Sequence, residues 1–221
     1  MDIMKLMKER HSVRSYTDKR IEGSNRKELL ECISECNQES GLHIQACFDE
    51  PKAFDSLMAH YGKFENVRNY IAIVGKKSKN IEEMSGYYGE KVVLKAQELG
   101  LNTCWVAMTY SKGKSECRID KGEKLYLVIA LGYGKTQGVP HKTKEITQLC
   151  KVEGSMPEWF QRGMEAASLA PTAMNQQKFL ISLEDGKVNA KTLMGFYSKI
   201  DLGIVKYHFE CGAGKENFEW K

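Results

Sequence analysis

Apolar positions along this chain fall into two periods, one helical and one extended. Ile3, Leu6 and Met7 share a helical face behind Asp2, a natural N-cap, so a short helix is predicted that ends around Arg10 to Ser12. A basic loop follows. Ser24 is the candidate cap of a second helix carrying Leu29, Leu30, Ile33 and Cys36, and residues 42–48, LHIQACF, alternate as a half-buried strand does. Residues 70–74, YIAIV, read as a buried strand. Tyr88, Val92, Ala96 and Leu99 then recur at the period of a buried helical face, with Gly100 where a helix commonly ends. TCWVAM at 103–108 is a short extended segment. LYLVIAL at 125–131 is too continuously apolar for an edge strand and belongs inside a covered sheet that Gly132 breaks. Ser155, Pro157 and Glu158 suggest a capping box with Pro in the first turn, opening a helix through Ala170, where Ala170-Pro171 stops it. FLISL at 179–183 and the region from Val188 flank Glu184-Asp185-Gly186-Lys187, whose Asp-Gly pair suits a tight hairpin. Long helices mixed with mostly non-alternating strands argue for an α+β fold in which helices cover an internal sheet.

Composition narrows the class of protein. At 221 residues the chain fits one large domain or two small ones, and 42% hydrophobic with 28% charged residues excludes collagen-like, disulfide-scaffold and wholly disordered readings. No apolar run approaches the length needed to cross a bilayer. The first ten residues, with Asp2, Lys5, Lys8, Glu9 and Arg10, contain no apolar signal-peptide core, so a cytoplasmic location is expected. Seven scattered cysteines in such a chain are expected to be reduced thiols, most of them packing residues. The net charge of +4 is spread among 29 acidic residues, a weak nucleic-acid footprint that leaves room for a small anionic ligand.

Four clusters could carry chemistry. Cys32, Cys36, His43 and Cys47 fit zinc-ligand spacing only loosely, and buried thiols are the simpler reading, so no metal is expected. Gly134-Lys135-Thr136 imitates the end of a phosphate-binding P-loop, but that loop needs an earlier glycine where this chain has Ile129. Arg10-His11-Ser12-Val13-Arg14 gathers two guanidiniums, a hydroxyl and an imidazole, able to hold a phosphate and a polar ring edge; a solvated charge cluster is the competing reading. Ala170-Pro171-Thr172-Ala173-Met174-Asn175-Gln176-Gln177 leaves a helix and offers hydroxyl and amide groups to a hydrogen-bonding heterocycle, or is a simple polar loop.

Read together, these pieces resemble the FMN-dependent nitroreductase family. MDIMKLMKERHSVRSY is similar to that family's N-terminal helix and Arg-x-Ser-x-Arg/Lys segment, ELGLNTCWVAM to its helix, glycine and flavin-facing strand, and VIALGYGK to its late core strand and Gly-Tyr turn. One part is out of order. The family's Ser-x-x-Asn-x-Gln-Pro-Trp segment ordinarily lies in the first part of the chain, whereas its look-alike here, APTAMNQQKF, follows the Gly-Tyr turn, with Lys178 and Phe179 in place of Pro and Trp. That order resembles a nitroreductase subgroup with a rearranged, permuted chain. The resemblance implies a nitroreductase-like α+β fold with a central, mainly antiparallel sheet covered by helices. It further implies a single flavin-binding domain over residues 1–221, with two pseudo-similar halves (about 1–150 and 151–221) as its possible subdivision.

The same resemblance implies residue roles. Arg10, His11 and Ser12 would hold the ribityl phosphate, and Arg14 would lie by the pyrimidine edge of the flavin, where a fixed cation favours the negatively charged reduced ring. Asn175 matches the asparagine that bonds the flavin, with Pro171, Thr172, Ala173 and Gln177 shaping the same wall. Trp105, Val106, Ala107 and Met108 match the strand facing the ring, a backbone N–H from Ala107 or Met108 reaching N5. His141 and Lys142 resemble basic residues closing over the phosphate, with Lys144 as an alternative. The expected function is an FMN oxidoreductase carrying a hydride from NADH or NADPH to a nitroaromatic, quinone or similar acceptor by ping-pong kinetics, as a homodimer with its site at the subunit interface. No side-chain nucleophile is needed, since the chemistry belongs to the cofactor. The rivals are a related FMN enzyme such as a reductive dehalogenase and a non-catalytic flavin-binding protein.

Overall fold

The run LYLVIAL forms the middle of β4 (Glu123–Gly132), which lies between β2 (Asn69–Lys76) and β3 (Asn102–Val106) in the computed structural model. The structure describes residues 2–55 and 57–221. A strand paired on both edges and covered on both faces has no side to show to water, and Val128, Ile129, Ala130 and Leu131 are all buried. β1 (Gln45–Cys47) completes a sheet of order β1-β2-β4-β3 in which every neighbouring pair is antiparallel. YIAIV lies in β2 and is fully buried, as its continuous apolar run predicts. One core cluster joins these strands to the loops around them, with Phe54, Phe64 and Tyr70 packing ring against ring beside Val13 and Tyr16.

A second sheet, of order β5-β6-β7, is built from β5 (Cys150–Val152), β6 (Phe179–Glu184) and β7 (Lys187–Thr192). β5 runs parallel to β6, and β6 and β7 form the expected hairpin, closing Glu184 against Lys187. Asp185 and Gly186 both have positive φ, as a two-residue turn matching the strand twist requires. The helices are α1 (Ile3–Glu9), α2 (Gly23–Ser40), α3 (Leu57–Tyr61), α4 (Ile81–Glu98), α5 (Ile146–Leu149), α6 (Glu158–Ser168) and α7 (Ser198–Ala213). Among the described residues, no helix is long and apolar enough to cross a membrane. This is the predicted α+β class. The chain divides into two compact units, one of residues 2–8, 82–90 and 140–221, the other of residues 9–81 and 91–139. α4 therefore supplies its first half to one unit and its second half to the other.

Several boundaries differ from the sequence expectation, each for a local reason. Asp2 does cap α1, its Oδ1 accepting from the Met4 N–H at 3.0 Å, but the helix ends at Glu9. Ser24 is not the cap of α2: the helix begins at Gly23 with Glu22 in the extended cap position. The buried stripe of α2 runs through Leu29, Cys32, Ile33 and Cys36, which turns Leu30 out to solvent. Of residues 42–48 only Gln45–Cys47 pair as a strand, at the sheet edge, while Leu42 and Ile44 are buried ahead of it. No capping box forms before α6; Pro157 itself is the cap residue, with extended backbone and no side-chain bond. That helix stops at Ser168, before the Ala170-Pro171 step whose first residue is biased away from helix. Finally, β3 ends at Val106, so Ala107 and Met108 lie in a bend beyond the strand, and Met108 is exposed.

Candidate functional site

Within the unit of residues 9–81 and 91–139, the chain leaves α1 in extended backbone and is threaded between three strands or loops. Ser12 bridges Thr103 of β3 in parallel, and the Val13 N–H donates to the Thr103 carbonyl at 3.0 Å. Glu65 donates to the Arg14 carbonyl (2.9 Å), Thr17 donates to Tyr133 (2.8 Å), and Lys135 donates to Ser15 (2.9 Å). Extended chain turns successive side chains to opposite sides. Val13 therefore enters the core, while Ser12 and Arg14 share the opposite, exposed side. The Gly-Tyr turn is built around this segment: a Cβ on Gly134 would stand 2.8 Å from both Val13 Cγ1 and Asn102 Oδ1. Asn102 in turn accepts the Gly134 N–H at 2.9 Å, a role the sequence does not announce.

The polar groups of this segment converge on Cys104. The Ser12 side chain hydrogen-bonds the thiol, and the charges of Arg14 and Arg10 act on it, so these three lie around one point of β3. Burial nevertheless dominates and pushes the Cys104 thiol up, against the pull of Arg14, Ser12 and Arg10. Burial, then the Arg10 cation, lowers His11 below its ordinary value, so at neutral pH the imidazole is uncharged and the guanidiniums carry the positive charge. Arg10 is only 3% exposed, whereas Arg14 is exposed with its guanidinium 6.0 Å from the Phe64 ring centre. Two guanidiniums, a hydroxyl and an imidazole fit an anion, and a planar, bidentate donor suits phosphate. Next along β3, Trp105 is half-buried and Val106 buried.

The other carried-over residues belong to the unit of residues 2–8, 82–90 and 140–221. After Ala170 the chain turns sharply: Met174, Asn175 and Gln177 all have φ near +50° (53°, 53° and 47°). Asn175 Nδ2 donates to the Lys142 carbonyl at 2.9 Å, and Asn175 Oδ1 accepts from Gln177 Nε2 at 2.9 Å. An amide has two N–H groups and two lone pairs, so the exposed Asn175 keeps one of each for a ligand. Gln177 is buried instead, its Nε2 also donating to the Lys142 carbonyl (2.9 Å) and its Oε1 accepting the Lys144 N–H (2.8 Å). Pro171, Thr172 and Ala173 are half-buried, and Thr172 Oγ1 accepts the Gln177 N–H at 3.0 Å. His141 Nε2 lies 3.1 Å from the Ser168 carbonyl, the Lys142 side chain is exposed, and Lys144 Nζ donates to the carbonyls of Gln176 (2.9 Å) and Gln177 (3.2 Å). Lys144 is thereby tied to the turn that carries Asn175, and His141 to the end of α6.

Cys32 and Cys36 hydrogen-bond each other on α2, and His43 Nδ1 lies 2.9 Å from Glu123 Oε2. Among the described residues the group close enough to share an ion is His43, Asp120 and Glu123, so the four-residue cysteine set is not assembled. Sequence reasoning missed the buried acids, Asp201 and Glu90 among them. Asp201 on α7 accepts from the Ala173 N–H (3.0 Å) and from Gln176 Nε2 (2.8 Å). Glu90 on α4 lies 2.9 Å from His208 Nε2, both side chains being fully buried. Ser198-x-x-Asp201 has the spacing of a capping box, the only signal that could have drawn attention to Asp201.

No curated protein sequence matches this chain. Among solved structures, a "putative nitroreductase" from Thermotoga maritima shares 21% identity and superposes with a TM-score of 0.66 over 98% of this chain and 85% of that one. A "putative nitroreductase in complex with FMN" from Desulfovibrio desulfuricans shares 17% identity with a TM-score of 0.56, over 71% of this chain and 99% of that one. A structure from Bacteroides thetaiotaomicron, described as a "putative NADH dehydrogenase/NAD(P)H nitroreductase", shares 20% identity with a TM-score of 0.53, over 66% and 95%. At these identities the likeness is one of fold. The sequence model of a family described as "Putative TM nitroreductase" matches residues 2–213, nearly the whole chain, and the protein therefore belongs to this nitroreductase family.

Proposed function

We propose that the protein is an FMN-dependent oxidoreductase that takes a hydride from NADH or NADPH and delivers electrons to a nitroaromatic, quinone or similar acceptor. The observation that carries this reading is the Arg10–Arg14 donor segment held along β3, in a chain of the nitroreductase family. FMN, when bound, would supply the two-electron chemistry. Arg10, His11 and Ser12 would bind the phosphate, and Arg14 would sit by the pyrimidine edge, where its positive charge favours the reduced ring. Trp105 is the half-buried side chain of β3 read as facing the ring, Val106 contributes the next stretch of that strand's backbone with its own side chain in the core, and a backbone N–H of Ala107 or Met108 would reach N5. Asn175 offers its remaining amide hydrogen and lone pair to the flavin, with Pro171, Thr172, Ala173 and Gln177 shaping that wall and His141, Lys142 or Lys144 serving the phosphate. The chain order is read as permuted within the family. The protein is further read as a cytoplasmic homodimer whose donor and acceptor use one site in turn, the basis of ping-pong kinetics.

The test is spectroscopic. Purified protein should be yellow and should bleach anaerobically on adding NADH or NADPH, then regain colour with a nitroaromatic or quinone. A yellow protein that neither donor bleaches would reduce the reading to flavin binding. A colourless protein that takes up no FMN would overturn it.

A further inference from the structure

The turn that carries Asn175 is strained, and something must hold it. Left-handed backbone at a residue with a Cβ costs on the order of 1 kcal/mol or more, and Met174, Asn175 and Gln177 adopt it within four positions. Met174 is 90% exposed, so its own side chain does not anchor the turn. Two contacts from α7 and the loop before it do. Asp201 Oδ1 accepts the Ala173 N–H at 3.0 Å, and Asp201 Oδ2 accepts from Gln176 Nε2 at 2.8 Å. The same Gln176 amide donates to the Phe196 carbonyl at 2.6 Å, and Gly195 passes so close that a Cβ there would stand 2.4 Å from Gln176 Oε1.

We propose that Asp201 is a positioning residue for the cofactor, a carboxylate latch that fixes the Thr172–Gln177 turn so that Asn175 is presented to FMN. This rests on the flavin reading above. Both carboxylate oxygens are committed to the turn, and protonating either removes an acceptor, so the latch is sensitive to acid. The groups facing Asp201 are the neutral donors of Ala173 and Gln176; the nearby cations of its own helix are otherwise engaged, Lys199 with Glu82 and Lys206 with Glu83 of α4. Burial pushes the Asp201 carboxyl up to about 6, with the two donors pulling the other way. The latch should therefore be closed at pH 7.5 and should loosen as pH falls through 6.

Two measurements separate this proposal from the flavin reading. Hydrogen exchange of residues 172–177 in the FMN-free protein at pH 7.5 should be about tenfold or more faster in Asp201→Asn than in wild type, on the scale of losing one charge-assisted hydrogen bond. At pH 5 that gap should close. FMN titration by fluorescence quenching should show a weakening of about tenfold in Asp201→Asn at pH 7.5 and a smaller difference at pH 5. Gln176→Leu, which removes the donor and leaves the acid, provides a second route if Asp201→Asn folds poorly, and it should give the same faster exchange. Equal exchange in wild type and both variants would overturn the latch. Faster exchange with unchanged FMN affinity would overturn its role in presenting Asn175. Wild-type protein that binds no FMN would sink the flavin reading, and with it that role, while the exchange data still decide whether the latch exists.

Discussion

At the scale of single residues, Cys104 is the side chain most open to misreading. A thiol beside two arginines invites a nucleophilic role, yet burial outweighs the cations and the Ser12 hydrogen bond, leaving the thiol protonated and slow to react. Steady-state NAD(P)H oxidation by Cys104→Ala should therefore stay within a few-fold of wild type; a loss of two orders of magnitude with flavin content intact would require a thiol step. Arg14 gives a cleaner test of the cofactor than the buried Arg10. Being exposed, Arg14→Ala should change stability by only about 0.5 kcal/mol, yet weaken FMN binding roughly ten- to a hundredfold, as loss of a charge-assisted contact does. Unchanged affinity in a fluorescence titration would move the flavin away from this segment. Asp201 carries a stability cost of the opposite sign to its local role. Its carboxyl is raised from 3.8 to about 6, so its contribution to global stability is present below pH 4 and lost as pH rises through 6. Urea denaturation should show Asp201→Asn gaining on wild type by about 1–3 kcal/mol between pH 4 and pH 7, while the turn it holds becomes better ordered over the same range.

At the scale of elements, α7 is the member whose sequence is most constrained by its neighbours. Its Gly203 lies against the first half of α4 so closely that a Cβ would fall 1.9 Å from the Glu83 carbonyl, and Gly86 of α4 is as close to the Ile200 carbonyl. Farther along, a Cβ on Gly212 would stand 2.6 Å from the Arg162 carbonyl of α6. Backbone cannot move aside as a flexible side chain can. Gly203→Ala should therefore destabilise the protein by several kcal/mol, about the upper range for overpacking, with loss of the cooperative thermal transition the expected readout. Across the same helices, His208 Nδ1 faces the Ala166 carbonyl at 3.0 Å and its Nε2 faces Glu90. A carbonyl only accepts, so Nδ1 is the donor to Ala166, and the second nitrogen lies within hydrogen-bond distance of the Glu90 carboxyl. His208→Leu should cost about 3–5 kcal/mol in denaturant unfolding, because it removes one member of a fully buried hydrogen-bonded pair.

For the molecule as a whole, a ligand that binds only the folded state must raise its stability. FMN at a hundred times its dissociation constant should add about 2.7 kcal/mol, or roughly 5–10 °C in melting temperature for a chain of this size. Riboflavin, which lacks the phosphate, should give a distinctly smaller shift if Arg10, His11 and Ser12 hold that group. Equal shifts would place the affinity on the ring alone. A homodimer predicts a sedimentation mass of twice 25.1 kDa, and a monomer carrying one tightly bound FMN would remove the subunit interface from the proposed site.

The amino-acid sequence alone determined the elements whose signal is local. The continuous apolar runs YIAIV and LYLVIAL are short and rich in β-branched residues, which favours strands covered on both faces over buried helix, and the Asp185-Gly186 pair has few turns open to it other than the hairpin it makes. The Arg10–Arg14 cluster and the Asn175 loop were likewise visible, because donors packed closely in sequence stand out wherever they fold. Caps were legible in part: Asp2 caps α1 as expected, whereas Ser24 and Ser155 have the right chemistry and yet the chain enters both helices through other residues, since tertiary contacts set where a helix begins. Only the tertiary structure decided that Leu30 faces out, that β3 stops at Val106, and that Asp201, distant in sequence from Ala173 and Gln176, closes on both. Periodicity records which residues of one segment share a face, while a latch between segments depends on long-range packing, which leaves no repeat in the sequence to be read.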